Sequence, residues 1–178
     1  MTDLDIRFIP FAEMTGDLQG QFDALDHLAF DGIEEDHELS AIQWAAPDWM
    51  AMGFLNDKVV TQLCIPKREI TVGSDTVWVA GIGGMSTHPK FQHQGLGSVL
   101  LAATEAFMRD TIRVPFGLLI CADQTRPFYG RSGWQYVANA LYFTQDQECQ
   151  MLKTSVMILP LYSRAWPAGE IDLCGLPW

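Results

Sequence analysis

A short polar stretch, QHQGLGS at 92–98, places two glycines directly before an apolar run. If a helix begins near Gly95, the N–H groups of its first turn lack partners within the helix, and the helix dipole adds partial positive charge there. Gly95 and Gly97 have no Cβ atom, so a bulky ligand can approach the main chain. Such a helix start binds phosphate groups readily. Four side chains of the stretch can add donors: Gln92, His93, Gln94 and Ser98.

Two better-known phosphate motifs do not fit this stretch. No Gly-Lys-Ser/Thr sequence follows, as a P-loop requires, and the spacing is not the Gly-x-Gly-x-x-Gly of a dinucleotide site. In the simplest alternative, Gly95 and Gly97 only begin a helix and let it pack closely. The strand before the stretch and a tyrosine downstream of it favour a ligand instead, namely a phosphate-bearing cofactor held mostly by main chain.

The elements around this stretch predict a strand–helix–strand crossover. The apolar segment TVWVAGIGGMSTH has the pattern of a strand, and apolar residues recur at helical spacing from Leu96 to Phe107. The segment PFGLLICA then has the pattern of a buried strand. The two strands and the helix between them would hold the glycines at one edge of a sheet.

The rest of the chain extends this sheet. DIRFIP predicts a first strand, apolar spacing predicts a helix over 15–30, and tight turns predict a three-stranded meander whose middle strand, KVVTQLCIPKREITV, bends at Pro66. A short helix in TRPFYGRSG, closed by Gly133, precedes two late strands, WQYVANALYF and KTSVMILPL. This order predicts a single α+β domain over 1–178, built on a mixed, mostly antiparallel sheet of about six or seven strands flanked by helices.

Composition narrows the class of protein. The chain has 178 residues, 48% of them apolar, so it can bury a core without disulfides. A net charge of −11 argues against nucleic acid and favours a cationic partner, although acidity for solubility alone explains it equally well. The N-terminus lacks a signal-peptide pattern and no apolar run has the length of a membrane span, so we expect a cytoplasmic protein without membrane contact. The four scattered cysteines disfavour zinc and redox sites.

The pattern Gln92-x-x-Gly95-x-Gly97, after a strand that ends in STHP, resembles the acetyl-coenzyme A signature of the GNAT N-acetyltransferase superfamily. By this resemblance, main-chain N–H groups of the loop wrap the pyrophosphate of acetyl-CoA: those of Gln92, His93, Gln94, Gly95, Leu96, Gly97 and Ser98. The family strand before the loop splays from its neighbour. Its main chain pairs with the pantetheine arm and polarises the thioester carbonyl. The resemblance gives that role to Met85, Ser86 and Thr87.

A second stretch, RPFYGRSGW, resembles another GNAT element, in which a tyrosine precedes a glycine–aromatic pair. The resemblance implies that Tyr129 protonates the departing thiolate of coenzyme A, as a well-placed phenol can. The alternative is a core aromatic with a surface hydroxyl. Many relatives carry an asparagine upstream of the tyrosine, where this chain has Ala122. Asp123 or Gln124 would then have to replace one pantetheine contact.

Within the superfamily, the chain is most similar to the aminoglycoside 2′-N-acetyltransferases. The similarity lies in RPFYGRSGW, in the late strand SVMILPL and in a final tryptophan after a cysteine-containing turn. Those enzymes carry a glutamate on the strand before the cofactor loop, which helps to deprotonate the amine through water, and this chain has Gly83 there. They also carry an acid near the last tryptophan, where Leu176 stands here. The resemblance therefore supports the predicted fold more directly than it supports the identity of the amine acceptor.

Several groups are candidates for the base, because an ammonium must lose a proton before it attacks a thioester. One is the main-chain carboxylate of Trp178, if the tail folds back into the cleft. Others lie in an acidic stretch whose carboxylates would also bind a polycationic acceptor: Glu34, Glu35, Asp36 and His37. The alternative for this stretch is a solvated surface loop. No metal site is expected, since Glu34 and His37 lack further ligands in sequence.

These features predict an N-acetyltransferase that moves an acetyl group from acetyl-CoA to a primary amine by direct attack in a ternary complex. The expected acceptor is a small polycationic amine such as an aminoglycoside. Another small amine, a protein amine, or a non-catalytic acetyl-CoA-binding module stays open, as does the oligomeric state, a homodimer included. Four tryptophans are candidates either for a sugar-binding groove or for the core: Trp44, Trp49, Trp166 and Trp178.

Overall fold

The computed structural model describes residues 4–30 and 40–178, so the acidic stretch at 34–37 lies outside the described residues. Within the described ranges the chain forms three α-helices: α1 (Gly16–Phe30), α2 (Leu96–Phe107) and α3 (Arg126–Gly130). It also forms eleven strands: β1 (Asp5–Pro10), β2 (Trp49–Leu55), β3 (Lys58–Ile65), β4 (Lys67–Val72), β5 (Asp75–Thr87), β6 (Phe116–Cys121), β7 (Gln135–Val137), β8 (Leu141–Gln145), β9 (Glu148–Leu152), β10 (Ser155–Pro160) and β11 (Ile171–Asp172).

The strands form one mixed, mostly antiparallel sheet, which confirms the predicted α+β fold class. Its hydrogen-bonded order is β1-β2-β3-β5-β4-β11-β8-β9. Off this path, β6 pairs with β5 and with β10, and β10 also pairs with β7. Among the described strands, β5–β6 and β11–β8 are the parallel pairs.

The structure has more strands than the sequence predicted. The segment expected to be one strand bent at Pro66 forms two, β3 and β4, because proline has no N–H to donate to a ladder. Both run antiparallel to β5, and the Pro66 carbonyl still accepts the Gly81 N–H at 2.7 Å. Neither β9 nor β11 was predicted. The turn before β9 is formed by Asp146 and Gln147 at φ 52° and 66°, without the glycine that usually marks such a turn.

The helices α1 and α2 pack on opposite faces of the sheet. Leu63 and Ile65 of β3 join the apolar cluster beneath α2, whereas Cys64 between them joins the cluster beneath α1. Successive strand side chains point to opposite faces, so the two helices cover the two sides. Trp178 packs with Val77 and Val79 of β5 in a further cluster.

The helix starts follow the sequence closely. The helix predicted over 15–30 is α1, and Thr15 Oγ1 accepts the Leu18 N–H at 3.4 Å at its N-terminus. Of the apolar face predicted for α2, Leu96 and Leu100 are buried, whereas Val99 is 49% exposed. In the described ranges, no helix has both the length and the hydropathy that a membrane crossing requires.

Candidate active site

The central feature of the sheet is the separation of β5 from β6. The two strands pair in parallel from Val79–Phe116 to Ile82–Leu119, and no pairing continues beyond that point. Both strands go on, β5 to Thr87 and β6 to Cys121. Main-chain groups on these facing edges are therefore not joined across the gap, which leaves room for an extended ligand between the strands.

A β-bulge turns the end of β5. Its register against β3 shifts between the pairs Cys64–Gly83 and Gln62–Ser86. Gly84 sits at φ 56°, a left-handed conformation that favours glycine. A bulge bends its strand and raises the local twist. The bulge therefore accounts for the departure of residues 85–87 from the line of β6.

The loop that follows β5 leads into α2 through two left-handed residues, His93 at φ 61° and Gly95 at φ 81°. Gly95 is the N-cap of α2, and no side chain caps the helix start. A Cβ built on Gly95 would meet no atom within 4 Å. The space beside Gly95 is thus open at the uncapped start of α2, as expected if this glycine lets a ligand approach the main chain.

The surroundings of Gly97 are crowded, unlike those of Gly95. They fit the alternative in which this glycine only lets the helix pack closely. A Cβ built there would lie 3.3 Å from Thr87 Oγ1 and 3.4 Å from Met85 Cε. The missing side chain lets α2 approach β5 closely. Gly97 thereby places the helix start directly beside the gap between β5 and β6.

The loop side chains mostly hold the loop itself. Gln92 Nε2 donates to the Thr87 carbonyl at 3.1 Å, and Gln94 Nε2 donates to the Lys90 carbonyl at 3.1 Å. His93 and Ser98 are exposed, whereas Leu96 is buried. Of the four expected side-chain donors, His93 and Ser98 are the ones whose polar groups make no hydrogen bond within the described residues.

The strand residues 85–87 are anchored on the side of β3. Thr61 Oγ1 donates to the Ser86 carbonyl at 3.0 Å and lies 2.9 Å from Thr87 Oγ1. Ser86 itself is buried, and its hydroxyl has no hydrogen-bond partner within the described ranges. The bulged strand end is therefore fixed from one side.

Tyr129 lies in α3, and its ring packs against the cluster beneath α2. Its ring centroid is 5.0 Å from that of Phe128 and 6.2 Å from that of Trp134. Burial raises the pKa of Tyr129 to about 12, and the thiol of Cys121 at the end of β6 acts in the same direction. The phenol is thus protonated at neutral pH and stands near the open end of β6.

Trp178 occupies the space beside Gly81 and Gly83 of β5. A Cβ built on Gly83 would lie 3.0 Å from the main-chain carboxyl carbon of Trp178. A Cβ on Gly81 would lie 2.0 Å from Trp178 Nε1. The indole N–H donates to the Leu118 carbonyl of β6 at 3.4 Å, and Trp178 is 6% exposed. The two glycines form a cradle into which the tryptophan fits.

Arg68 of β4 holds this tail. Its Nη1 donates to the Leu176 carbonyl at 2.5 Å and to the Leu173 carbonyl at 3.4 Å. Its guanidinium carbon lies 5.2 Å from the centre of the Trp178 ring, within cation–π range. Burial lowers the pKa of Arg68, while Cys174 and Asp48 oppose that shift. The main chain adds a further bond, from Ala45 N–H to the Pro177 carbonyl at 2.7 Å.

Other candidates are not brought into one site. Trp49 packs edge-on to Phe107 beneath α2, and Trp166 packs edge-on to Phe116 in the cluster that contains Trp178, whereas Trp44 is exposed. The tryptophans therefore serve mainly as core rather than as one sugar groove. Asp123 accepts the Ser155 hydroxyl, so its carboxylate is engaged, and Gln124 is exposed. Glu34, Glu35 and Asp36 lie outside the described residues.

The cradle and its arginine were the features that sequence reasoning missed. A signal was present: Gly81, Gly83 and Gly84 interrupt an otherwise apolar strand. Glycine inside a strand often marks a close approach of another part of the chain. A tail that folds back into the cleft was one of the possibilities named, but nothing in the sequence connected Trp178 with these glycines, because it is distant from them along the chain.

Comparisons with known proteins identify the family from the sequence and find similar folds among solved structures. A family model described as an acetyltransferase (GNAT) domain matches residues 14–137, well over half of the chain. The fold is similar to that of ElaA from Escherichia coli, with a TM-score of 0.64 and 14% identity over 88% of this chain and 98% of that one. It is also similar to a GNAT family acetyltransferase from Brucella melitensis in complex with acetyl-CoA, with a TM-score of 0.65 and 13% identity over 96% of both chains. No curated protein matches the chain in sequence.

The structural similarity at these identities concerns the fold, whereas the family model matches the sequence itself. The matched range holds β5, the loop at 92–98 and Tyr129, which together form the candidate site. The chain belongs to the GNAT acetyltransferase family and is an acetyl-CoA-dependent N-acetyltransferase.

Proposed function

We propose that this enzyme acetylates a primary amine of a small cationic acceptor, and that acetyl-CoA binds in the gap between β5 and β6. One observation carries the proposal. Beyond Ile82 and Leu119 the two strands no longer pair with each other, and the end of β5 adjoins the uncapped first turn of α2. An extended amide-containing arm needs main-chain partners, and a diphosphate needs N–H donors with positive potential. The gap and the helix start supply these two needs side by side.

The donor substrate would lie along residues 85–98. Main-chain groups of Met85, Ser86 and Thr87 would pair with the pantetheine arm. The amides from Gln92 to Ser98 would hold the diphosphate, and the open space at Gly95 is the support for this orientation. Acetyl-CoA would supply the activated acetyl group as a thioester.

Tyr129 is proposed to donate a proton to the departing sulfur. Reference thiols have a pKa of about 8.5, below that of the buried phenol, so the transfer is uphill and depends on a direct hydrogen bond from the phenol to the departing sulfur. Burial raises the pKa of Tyr129 to about 12, which keeps its proton in place until the sulfur gains charge. The transfer would run from the phenol oxygen to sulfur as the C–S bond breaks and the C–N bond forms.

The carboxylate of Trp178 is proposed to take up the proton that the acceptor amine loses. This carboxyl carbon stands within 3.0 Å of the Cβ position of residue 83, where the aminoglycoside enzymes carry their glutamate. A carboxylate contributed by the tail would thus stand in for the side chain that Gly83 lacks. The proton could pass from the amine to this carboxylate through one bridging water.

Direct attack is favoured over a covalent acetyl-enzyme. Burial raises the pKa of the Cys64 thiol to about 12 and also raises that of Cys121. A thiol kept protonated is a poor nucleophile. Cys64 on β3 and Cys121 at the end of β6 are therefore unsuited to carry the acetyl group.

A cationic acceptor is favoured by the charge of the chain. The net charge of −11 attracts cations at long range. Glu34, Glu35 and Asp36 are proposed to bind ammonium groups of the acceptor, and an aminoglycoside has the required cluster of amines. Neutral amines and molecules with a single amine group would be attracted less strongly by the negative charge of the protein.

The test is release of coenzyme A thiol from acetyl-CoA across a panel of aminoglycosides, polyamines, single amines and peptides. We expect turnover with at least one polycationic amine, and faster turnover at low than at high salt, because salt screens the attraction. Turnover confined to peptides or neutral amines would refute the acceptor class. Tight acetyl-CoA binding without turnover on any member would favour a non-catalytic module.

A further inference from the structure

Glu105 of α2 is connected to Tyr129 through one tryptophan. Its Oε1 accepts the Trp134 indole N–H at 2.8 Å. Trp134 is 3% exposed and stands edge-on to Tyr129, with ring planes 65° apart. On its other side the indole sits on Gly117, where a Cβ would lie 2.7 Å from the ring. Packing on Gly117 sets the plane of the indole, and the hydrogen bond to Glu105 sets its rotation within that plane.

The position of Tyr129 depends on this tryptophan. No hydrogen bond to its hydroxyl is found in the part of the chain that the structure describes. Its aromatic contacts are with Phe128, the preceding residue, and with Trp134, which lies outside α3. Phe128 moves with the helix, so the aromatic contact that is independent of α3 is the one with Trp134, a member of the cluster beneath α2. A shift of the indole would therefore shift the phenol.

A carboxylate at position 105 is costly for a purely structural contact. Glu105 is half-buried, and burial raises its pKa, against the opposing effects of Trp134 and Arg109. An apolar side chain of similar size would avoid this desolvation. It would also leave the indole N–H without an acceptor and free to turn.

We propose that Glu105 is a positioning residue, which holds the phenol of Tyr129 in line with the departing sulfur by fixing Trp134. The proposal rests on the role of Tyr129 as proton donor given above. Glu105 itself touches neither substrate.

A double-mutant cycle between Glu105→Leu and Tyr129→Phe tests the coupling. In the wild-type background, Glu105→Leu should lower kcat about 10-fold without changing the affinity for coenzyme A. With Tyr129→Phe in place, the same substitution should lower kcat less than about 2-fold, because no proton donor is left to position. Glu105→Gln keeps an acceptor oxygen for the indole and should restore most of the activity. A matched control, Glu148→Leu on the exposed strand β9, should leave kcat unchanged.

Equal losses from Glu105→Leu in both backgrounds would overturn the proposal. A second readout does not depend on turnover. The phenolate absorbance of Tyr129, obtained as the difference from Tyr129→Phe, should titrate about one pH unit lower in Glu105→Leu, because the freed ring gains solvent. If Tyr129→Phe leaves kcat unaffected, the proton-donor role fails, and the titration alone decides on Glu105. An unshifted titration would then overturn its positioning role.

Discussion

Substitution of Gly81 by alanine should drive Trp178 out of its cradle. The new Cβ would lie 2.0 Å from Nε1, 2.4 Å from Cε2 and 2.6 Å from Cδ1 of the indole. Carbon atoms in contact are about 3.5 Å apart, so the ring must move by about 1.5 Å. Trp178 is 6% exposed and hydrogen-bonded to Leu118, so no small shift preserves its packing.

The energetic cost of this displacement has two sources. Overpacking a well-packed core costs about 1–3 kcal/mol, and exposing a large aromatic side chain costs a similar amount. We therefore expect the free energy of unfolding to fall by about 2–3 kcal/mol, as measured by urea denaturation. We also expect kcat to fall at least about 10-fold, because the carboxylate leaves its place over Gly83. The affinity for coenzyme A should stay unchanged.

Two variants control this prediction. Gly20→Ala adds a Cβ that meets nothing within 4 Å, inside α1, and should be neutral or slightly stabilising. In a Trp178→Ala background the clash is removed, so Gly81→Ala should then cost little. The reasoning is refuted if Gly81→Ala destabilises the Trp178→Ala protein as much as the wild type, or if it leaves kcat intact.

Four other outcomes are expected. Tyr129→Phe should lower kcat about 100-fold, as measured by stopped-flow, and leave the coenzyme A affinity measured by calorimetry unchanged. An unaltered kcat would exclude the phenol as proton donor. Arg68→Met should loosen the tail and lower the free energy of unfolding by about 1–2 kcal/mol in urea denaturation, since a charged donor to the Leu176 carbonyl is removed. Gly95→Ala should lower the free energy of unfolding by about 1 kcal/mol, because alanine is strained at a φ of 81°. It should lower the affinity for coenzyme A at least about 10-fold, because the added Cβ meets no protein atom within 4 Å and would clash with the bound ligand. Burial raises the pKa of Tyr129 to about 12 in the folded protein, against about 10 in the unfolded chain, so the stability linked to the protonated phenol is complete below pH 10 and is lost as pH rises through 12. Thermal melts at alkaline pH can follow this loss.

The parts of the site that are local in sequence were predictable. The two glycines within 92–98 indicate a helix start at which the main chain is accessible. The structure places Gly95 at the N-cap in a left-handed conformation. The apolar patterns of the sequence, typical of a strand, a helix and a buried strand in turn, predict the crossover from β5 through α2 to β6. Such features depend on φ, ψ and amphipathic spacing over a few residues, which the types of residue fix directly.

The parts that depend on distant pairing were not predictable. Nothing near Gly81 indicates that an indole from the far end of the chain rests on it, and nothing near Glu105 indicates Trp134. The separation of β5 from β6 was expected from the family resemblance, but its cause, a register shift against β3, is revealed only by the paired strand. Proline at position 66 marked a bend, but its missing N–H gave two strands instead of one. The role of the acidic stretch at 34–37 stays a prediction.

Calorimetric titration of coenzyme A into the wild-type protein and into Gly95→Ala tests the central claim most directly. If main-chain amides at the start of α2 hold the diphosphate, the wild type should show saturable binding, and the variant, still folded and about 1 kcal/mol less stable in urea denaturation, should bind at least about 10-fold more weakly. Equal affinities in the two folded proteins, or no heat from the wild type at high micromolar ligand, would contradict the account.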